Sequence, residues 1–328
     1  MKDPYLVRDL FGIEGLDIRW YGVFILIGII AGLLIGVMLG KRRGYNSDMP
    51  VDLILVCLPL AIICARIYYV VFDFDSYRDN LISVLYIWEG GIAIYGAVIG
   101  SVLGGVIFSK HTKIPFGDLL DIGAPGLAIG QCIGRWGNFA NQEAFGNLIT
   151  NPSLQFFPYG VYIDRLGEWH QATFFYESMW DLIVFIAVLS YFNKAKHKGN
   201  VFVLYTVLYG AGRFFIEGLR ADSLWLIPGV IRVSQLLSVI LVVCGTAYLI
   251  VKHRREPKEV AYEGKYSLSY KEEEDDEDGY DEAIDIEQEI EDTGDEMIPN
   301  ELLLEEFERE EEEEEQEDDY EQESDDDD

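Results

Sequence analysis

The chain has 328 residues, 50% of them hydrophobic, and a formal net charge of −32. The charge is not spread: 38 of the 57 acids and four of the 25 bases lie in residues 256–328, which leaves 1–255 near +2. One part is therefore strongly apolar and the other a polyanion, a combination that excludes a nucleic-acid partner and points to the lipid bilayer. Cys57, Cys64, Cys132 and Cys244 all fall in apolar stretches without close Cys/His spacing, so packed thiols are expected rather than disulfides or a zinc site.

In chain order, the apolar runs predict seven membrane helices: Trp20–Gly40, Val51–Phe72, Gly91–Phe108, Leu119–Trp136, Phe174–Phe192, Val201–Leu219 and Val233–Val251. At about 1.5 Å per residue each covers most or all of a hydrocarbon core of about 30 Å. The first run has neither a basic segment before it nor a small-residue cleavage site, so it reads as a span and not as a cleaved signal. The short apolar stretches Leu81–Trp88 and Leu224–Val233 read as interfacial or re-entrant.

Basic residues test the count. Lys41, Arg42 and Arg43 follow the first run, Lys110 and Lys113 the third, Lys194, Lys196 and Lys198 the fifth, and Lys252, Arg254 and Arg255 the seventh. Seven spans put all four clusters on one side, and positive charge marks that side as cytoplasmic. The N-terminus is then outside and the acidic tail inside. The predicted fold class is an all-α, polytopic membrane protein with a membrane domain at 1–255 and an acidic, disordered cytoplasmic tail at 256–328. Like-charge runs such as Glu310–Glu315 repel themselves and cannot bury enough apolar area to offset chain entropy. Leu302, Leu303, Leu304 and Phe307 are placed to form one amphipathic turn against an unknown partner.

The polar residues inside the runs collect at the outer ends. They are Tyr21, Arg66, Glu89, Tyr95, Arg135, Asn138, Glu177, Asp181, Arg213, Glu217 and, just beyond, Arg220. Each charge near mid-membrane costs at least about 2.5–3.5 kcal/mol, so a group at one depth implies a shared polar cavity open to the outer leaflet. On these grounds Arg66 is matched with Glu177 or Asp181 as a structural pair. Arg135 and Arg213 sit in glycine-rich polar stretches, and their rigid donor forks suit phosphate oxygens, as of a phospholipid head group.

The run GRWGNFANQEAFG, Gly134 to Gly146, resembles the signature of the bacterial prolipoprotein diacylglyceryl transferases at Gly134, Arg135, Gly137, Asn138, Phe139, Asn141, Glu143 and Gly146. IRWYGVF (Ile18–Phe24), WEGGIAIYGAVIG (Trp88–Gly100), FFYES (Phe174–Ser178) and YGAGRFFIEGLR (Tyr209–Arg220) are similar to further blocks of that family. The resemblance covers about residues 5–255. It implies transfer of diacylglyceryl from phosphatidylglycerol to the lipobox cysteine thiol of a prolipoprotein signal peptide, forming a thioether and releasing glycerol phosphate. It also implies a bacterial cytoplasmic membrane. Without the resemblance, the alternative is a transporter or lipid-binding protein with a structurally paired Arg/Glu cavity, although no duplicated halves are visible.

Such chemistry needs charge stabilised on the phosphate and a proton taken from the thiol. Arg135 is the first candidate for the phosphate and Arg213 the second. Asn138 and Asn141 are candidates for head-group hydroxyls, Gly137 and Gly146 for close backbone approach, and Tyr21, Tyr209, Glu217 and Arg220 for the remaining lining. The family usually carries a histidine where this chain has Tyr95; tyrosine, with a reference pKa of about 10, is a poor base at neutral pH, so Tyr95 is a catalytic candidate through a hydroxyl that orients the phosphate or the base. The base is left between Glu143, His170 and a thiol that ionises unaided beside the arginines. No cofactor and no metal are expected.

Overall fold

An apolar run in lipid has no water to bond its peptide groups and closes its own hydrogen bonds as a helix. A computed structural model describes residues 4–9, 12, 17–78, 80–87, 90–220, 225–227, 231–254 and 262–268. Among these are seven α-helices: α1 (Trp20–Arg42), α2 (Asp48–Phe72), α3 (Ile94–Thr112), α4 (Phe116–Asn141), α5 (Thr173–Phe192), α6 (Asn200–Glu217) and α7 (Val233–His253). Five of them, α1, α2, α3, α5 and α7, are long and apolar enough to cross a membrane. The other two, α4 and α6, carry charge into the bundle: buried Asp118 and Asp121 with half-buried Arg135 on one, buried Glu217 with half-buried Arg213 on the other.

The described residues are mostly helical, as expected, and between the helices three two-stranded antiparallel pairs form: β1 (Tyr5–Val7) with β2 (Ile18–Arg19), β3 (Gly160–Ile163) with β4 (Glu168–Gln171), and β5 (Trp225–Ile227) with β6 (Ile231–Arg232). Loop peptide groups must also be satisfied, and local pairing does this without a sheet. Part of the stretch Leu224–Val233 is thus a strand pair, while Leu81–Leu85 is a 3-10 turn.

Helices α1 and α4 pack along each other with Gly28 and Gly32 facing Gly130 and Gly126, so their backbones touch. Helix α3 lies along α2, while α5 joins α4 to α6, and α7 covers α6. The apolar core is concentrated toward one end of this bundle, around Leu39, Met49, Ile122, Val188, Phe192 and Val201. Large apolar side chains face outward, such as Leu34 and Leu55, each 65% exposed, as expected where the surrounding solvent is lipid.

The core end is closed by ion pairs. Asp118 of α4 lies 3.4 Å from Arg43 and 2.7 Å from Lys198, and accepts the Tyr45 hydroxyl at 2.8 Å. Burial, reinforced by the Asp118 charge, raises the Tyr45 pKa and keeps that hydroxyl a donor. Asp121 accepts the backbone N–H groups of Gly199 and Phe202, capping α6.

Residues Tyr262–Leu268 pack on the same end. The Asn46 N–H donates to the Tyr266 carbonyl at 2.9 Å and the Leu268 N–H to the Gly44 carbonyl at 3.2 Å, with Tyr45 and Ser267 bridged. The Tyr266 hydroxyl donates to Asp52 at 2.7 Å and the Tyr262 hydroxyl to the Thr112 carbonyl at 3.0 Å. The packed chain therefore extends past residue 255, where the change in composition had put its limit. The acidic runs and Leu302–Phe307 lie outside the described residues.

Candidate active site

At the opposite end, α4, α5 and α6 bring together the charges their sequences carry. The side chain of Glu177, one turn into α5, is 5% exposed. Its Oε2 lies 2.8 Å from Arg135 Nε of α4, its Oε1 pairs with Arg213 Nη1 of α6, and Arg220 Nη1 stands 3.9 Å from Oε1. Arg213 also pairs with Glu217 at 2.7 Å, one turn along its own helix, the i,i+4 spacing that puts both on one face. One carboxylate thus holds three guanidinium groups, and a second holds one of them from behind.

Hydrogen bonds across helices set this register. Trp136 Nε1 donates to Ser178 Oγ at 3.2 Å, and Ser178 Oγ donates to the Cys132 carbonyl at 2.9 Å, locking α4 to α5. Trp180 Nε1 donates to the Leu208 carbonyl at 2.9 Å, locking α5 to α6. Between the three helices lies a narrow cleft lined by Arg135, Glu177, Trp180, Asp181, Tyr209, Arg213 and Ile216. Tyr209 stacks on Tyr205, with ring centroids 5.9 Å apart.

Beyond α4 the chain turns sharply. Gln142 and Ala144, on either side of Glu143, have φ of 52° and 55°, a left-handed conformation unusual for residues with a Cβ. The turn folds Glu143 back, so that its Oε1 accepts from Asn138 at 3.0 Å and from Asn141 at 3.4 Å. Thr173 Oγ1 donates to the Ala144 carbonyl at 2.5 Å, and Gln142 exchanges two hydrogen bonds with Asp164, at 2.5 and 2.8 Å. Tyr21 of α1 packs on Gly137, where a Cβ would come within 2.7 Å of its ring, and lies within electrostatic reach of Glu143 and Arg135.

Gly146 is a junction. Its N–H donates to the Gln171 carbonyl at 2.8 Å, its carbonyl bonds His170 Nδ1 at 2.9 Å, and its backbone bridges Arg220. A Cβ there would lie 2.8 Å from Gln171 and Thr173 and 2.9 Å from the Leu219 carbonyl. His170, on β4, is buried, packs at a tilt on Phe145 with ring centroids 4.6 Å apart and points Nε2 toward Glu168 at 3.4 Å. Its ring serves the Gly146 loop and is not part of the cleft's lining.

The structure brings together Arg135, Arg213, Glu217, Arg220 and Tyr209, and places Tyr21, Asn138, Asn141 and Glu143 beside them. Tyr95 is set apart on α3, 39% exposed and beside Tyr68, with ring centroids 6.3 Å apart. The pairing of Arg66 with Glu177 or Asp181 is corrected. Arg66 instead donates to the carbonyls of Ser83, Val84, Gly90 and Gly91 at 2.6–2.9 Å, because α2 faces α3 and the loop between them. Glu89 lies outside the described residues. Trp180 and Ile216 were missed as lining; the signal was their spacing, Trp180 three residues after Glu177 and Ile216 three after Arg213.

Residues 8–251 match the family model described as prolipoprotein diacylglyceryl transferase. The chain is 40% identical over 256 residues to the phosphatidylglycerol–prolipoprotein diacylglyceryl transferase of Bacillus licheniformis, covering 76% of this chain and 93% of the relative. It is 44% identical over 244 residues to the enzyme of the same name from Clostridium kluyveri, covering 73% and 94%. For that of Listeria innocua the identity is 44% over 257 residues, covering 76% and 90%.

Proposed function

We infer the function from one premise: the chain belongs to the prolipoprotein diacylglyceryl transferase family. It is an enzyme that moves the diacylglyceryl group of phosphatidylglycerol to a prolipoprotein. The observation that carries this reading on to the residues is the Arg135–Glu177–Arg213 cluster facing a cleft. Two rigid cationic forks, held in place before substrate arrives, suit a phosphodiester whose negative charge grows as it departs.

In this reading Arg135 and Arg213 hold the phosphate, with Arg220 completing the positive rim and Tyr209 lining the lipid side. Asn138 and Asn141, oriented by Glu143, face the glycerol hydroxyls. Gly146 and His170 are supports that set Arg220 in place. The thiol of the lipobox cysteine attacks the glyceryl carbon, the carbon–oxygen bond to the phosphate breaks, and glycerol phosphate leaves. All seven helices span a bacterial cytoplasmic membrane, with this site toward the outer leaflet and the four basic clusters and the tail in the cytoplasm. The tail has an unknown partner and no part in turnover.

The test is a membrane assay with phosphatidylglycerol and a lipobox peptide. The cysteine peptide gains the diacylglyceryl mass and the matching serine peptide does not. Absence of product, under conditions in which a known relative is active, would sink the reading. Arg135→Ala should lose about 10²–10³-fold in turnover while the protein still inserts, as for removal of one preorganised donor; unchanged turnover refutes the phosphate assignment.

A further inference from the structure

The reaction needs a group that takes the thiol proton, and the residues with that chemistry are nearly all occupied. Glu143 accepts two side-chain amides at one oxygen. Glu177 holds Arg135 and Arg213, and Glu217 holds Arg213 at 2.7 Å. His170 bonds the Gly146 carbonyl, and Tyr95 stands beside Tyr68 on α3. The guanidinium groups are permanently protonated and accept nothing.

Asp181 differs from all of these. It lies one turn along α5 from Glu177, is 3% exposed and lines the same cleft. Its nearest cation is Arg135 Nε at 3.8 Å, beyond hydrogen-bond distance, and among the described residues its buried Oδ2 has no hydrogen-bond partner. Glu177 Oε2 and Glu217 Oε2 are also buried without a hydrogen bond, but each has a guanidinium nitrogen within 2.8 Å, whereas the nearest one to Asp181 Oδ2 is at 3.8 Å, and a buried carboxylate oxygen left so open costs free energy. From α4 it faces Arg135 and Cys132, from α6 it faces Tyr205, Tyr209 and Arg213, and Glu177 is its neighbour on α5. Its open oxygen leaves room for a donor.

We propose that Asp181 is the proton acceptor for the attacking thiol, resting on the transferase reading above. The S–H proton passes to Asp181 Oδ2 as the sulfur–carbon bond forms. The electron pair of the breaking carbon–oxygen bond stays on the phosphate oxygen beside Arg135 and Arg213. Asp181 then returns the proton to the departing glycerol phosphate, so no other reactant is consumed. The assignment supplies the base that Tyr95 does not.

The experiment compares Asp181→Asn with the unaltered enzyme on two lipobox peptides, one with cysteine and one with selenocysteine, whose selenol is already ionised at neutral pH. With cysteine, turnover should fall about 100-fold or more, the usual range for loss of a general base. With selenocysteine it should fall by less than about fivefold, since no proton need be removed. The acid limb of the pH profile for the cysteine peptide should vanish in the variant. Asp181→Glu, which keeps a carboxylate, should recover most of the cysteine activity. Equal losses on the two peptides, or a glutamate variant as poor as the asparagine one, would assign Asp181 a structural role and overturn the proposal. Full cysteine activity in Asp181→Asn overturns it outright. If the unaltered enzyme modifies neither peptide, the transferase reading falls and takes this assignment with it.

Discussion

Glu177→Gln is the most informative perturbation of the cluster. It keeps the volume of the side chain and removes the charge shared by Arg135, Arg213 and Arg220. The three side chains paired most closely are 5%, 20% and 17% exposed, so screening by water is weak. Removing one partner of a buried pair costs about 3–5 kcal/mol. The lower end applies here, because Arg213 keeps Glu217 at 2.7 Å and Arg135 keeps Asp181 at 3.8 Å. At about 2–4 °C per kcal/mol for a domain of this size, the unfolding midpoint should drop by about 6–12 °C. Turnover should fall further than stability alone explains, since about 1 Å of misplacement at a reacting centre costs about 100-fold. Thermal unfolding in detergent and the phosphatidylglycerol assay on the same preparation measure both. A midpoint within about 2 °C of the original together with turnover within about twofold would refute the claim that Glu177 organises the guanidinium groups.

Three further outcomes are expected. A chain ending at residue 268 should unfold at the same temperature as the full chain, whereas one ending at 260 should lose several degrees, because it gives up the Tyr266–Asp52 and Tyr262–Thr112 hydrogen bonds and two backbone ones. Burial, with the Asp52 carboxylate beside it, raises the Tyr266 pKa from 10.0 to about 12; the Tyr266 hydroxyl's contribution to holding this segment is therefore complete below about pH 10 and lost as pH rises through about 12, measurable as protease cleavage between 255 and 270. Gly146→Val should abolish turnover and lower the unfolding midpoint together, since its Cβ would lie 2.8 Å from Gln171 and Thr173; a variant with a normal midpoint and normal activity would show that the junction is not needed.

The membrane helices were legible in the sequence because lipid imposes a length and an apolarity that any span must satisfy locally. The motif from Gly134 to Gly146 was legible for a related reason: charge and glycine at the end of a span are costly unless used. Asn138, Asn141 and Glu143 are close in the chain, and the turn that joins them is local. Partners on different helices were not legible. Arg66 and Arg135 both lie within apolar runs, and composition alone cannot say which of them meets Glu177. That depends on which face each helix turns inward, and the α2–α3 pairing turns Arg66 toward carbonyls of the 83–91 loop.

The same distinction separates the acids from one another. Sequence alone set out a polar end, a basic end and an acidic tail, because hydropathy and charge are sums over neighbouring residues. Only the tertiary structure decided that Glu177 is shared, that His170 holds the Gly146 loop, that Tyr262–Leu268 returns to the bundle, and that Asp181 keeps an unpaired oxygen in the cleft. Hydrogen bonds act over about 3 Å, and such distances between residues far apart in the chain exist only once the helices are packed.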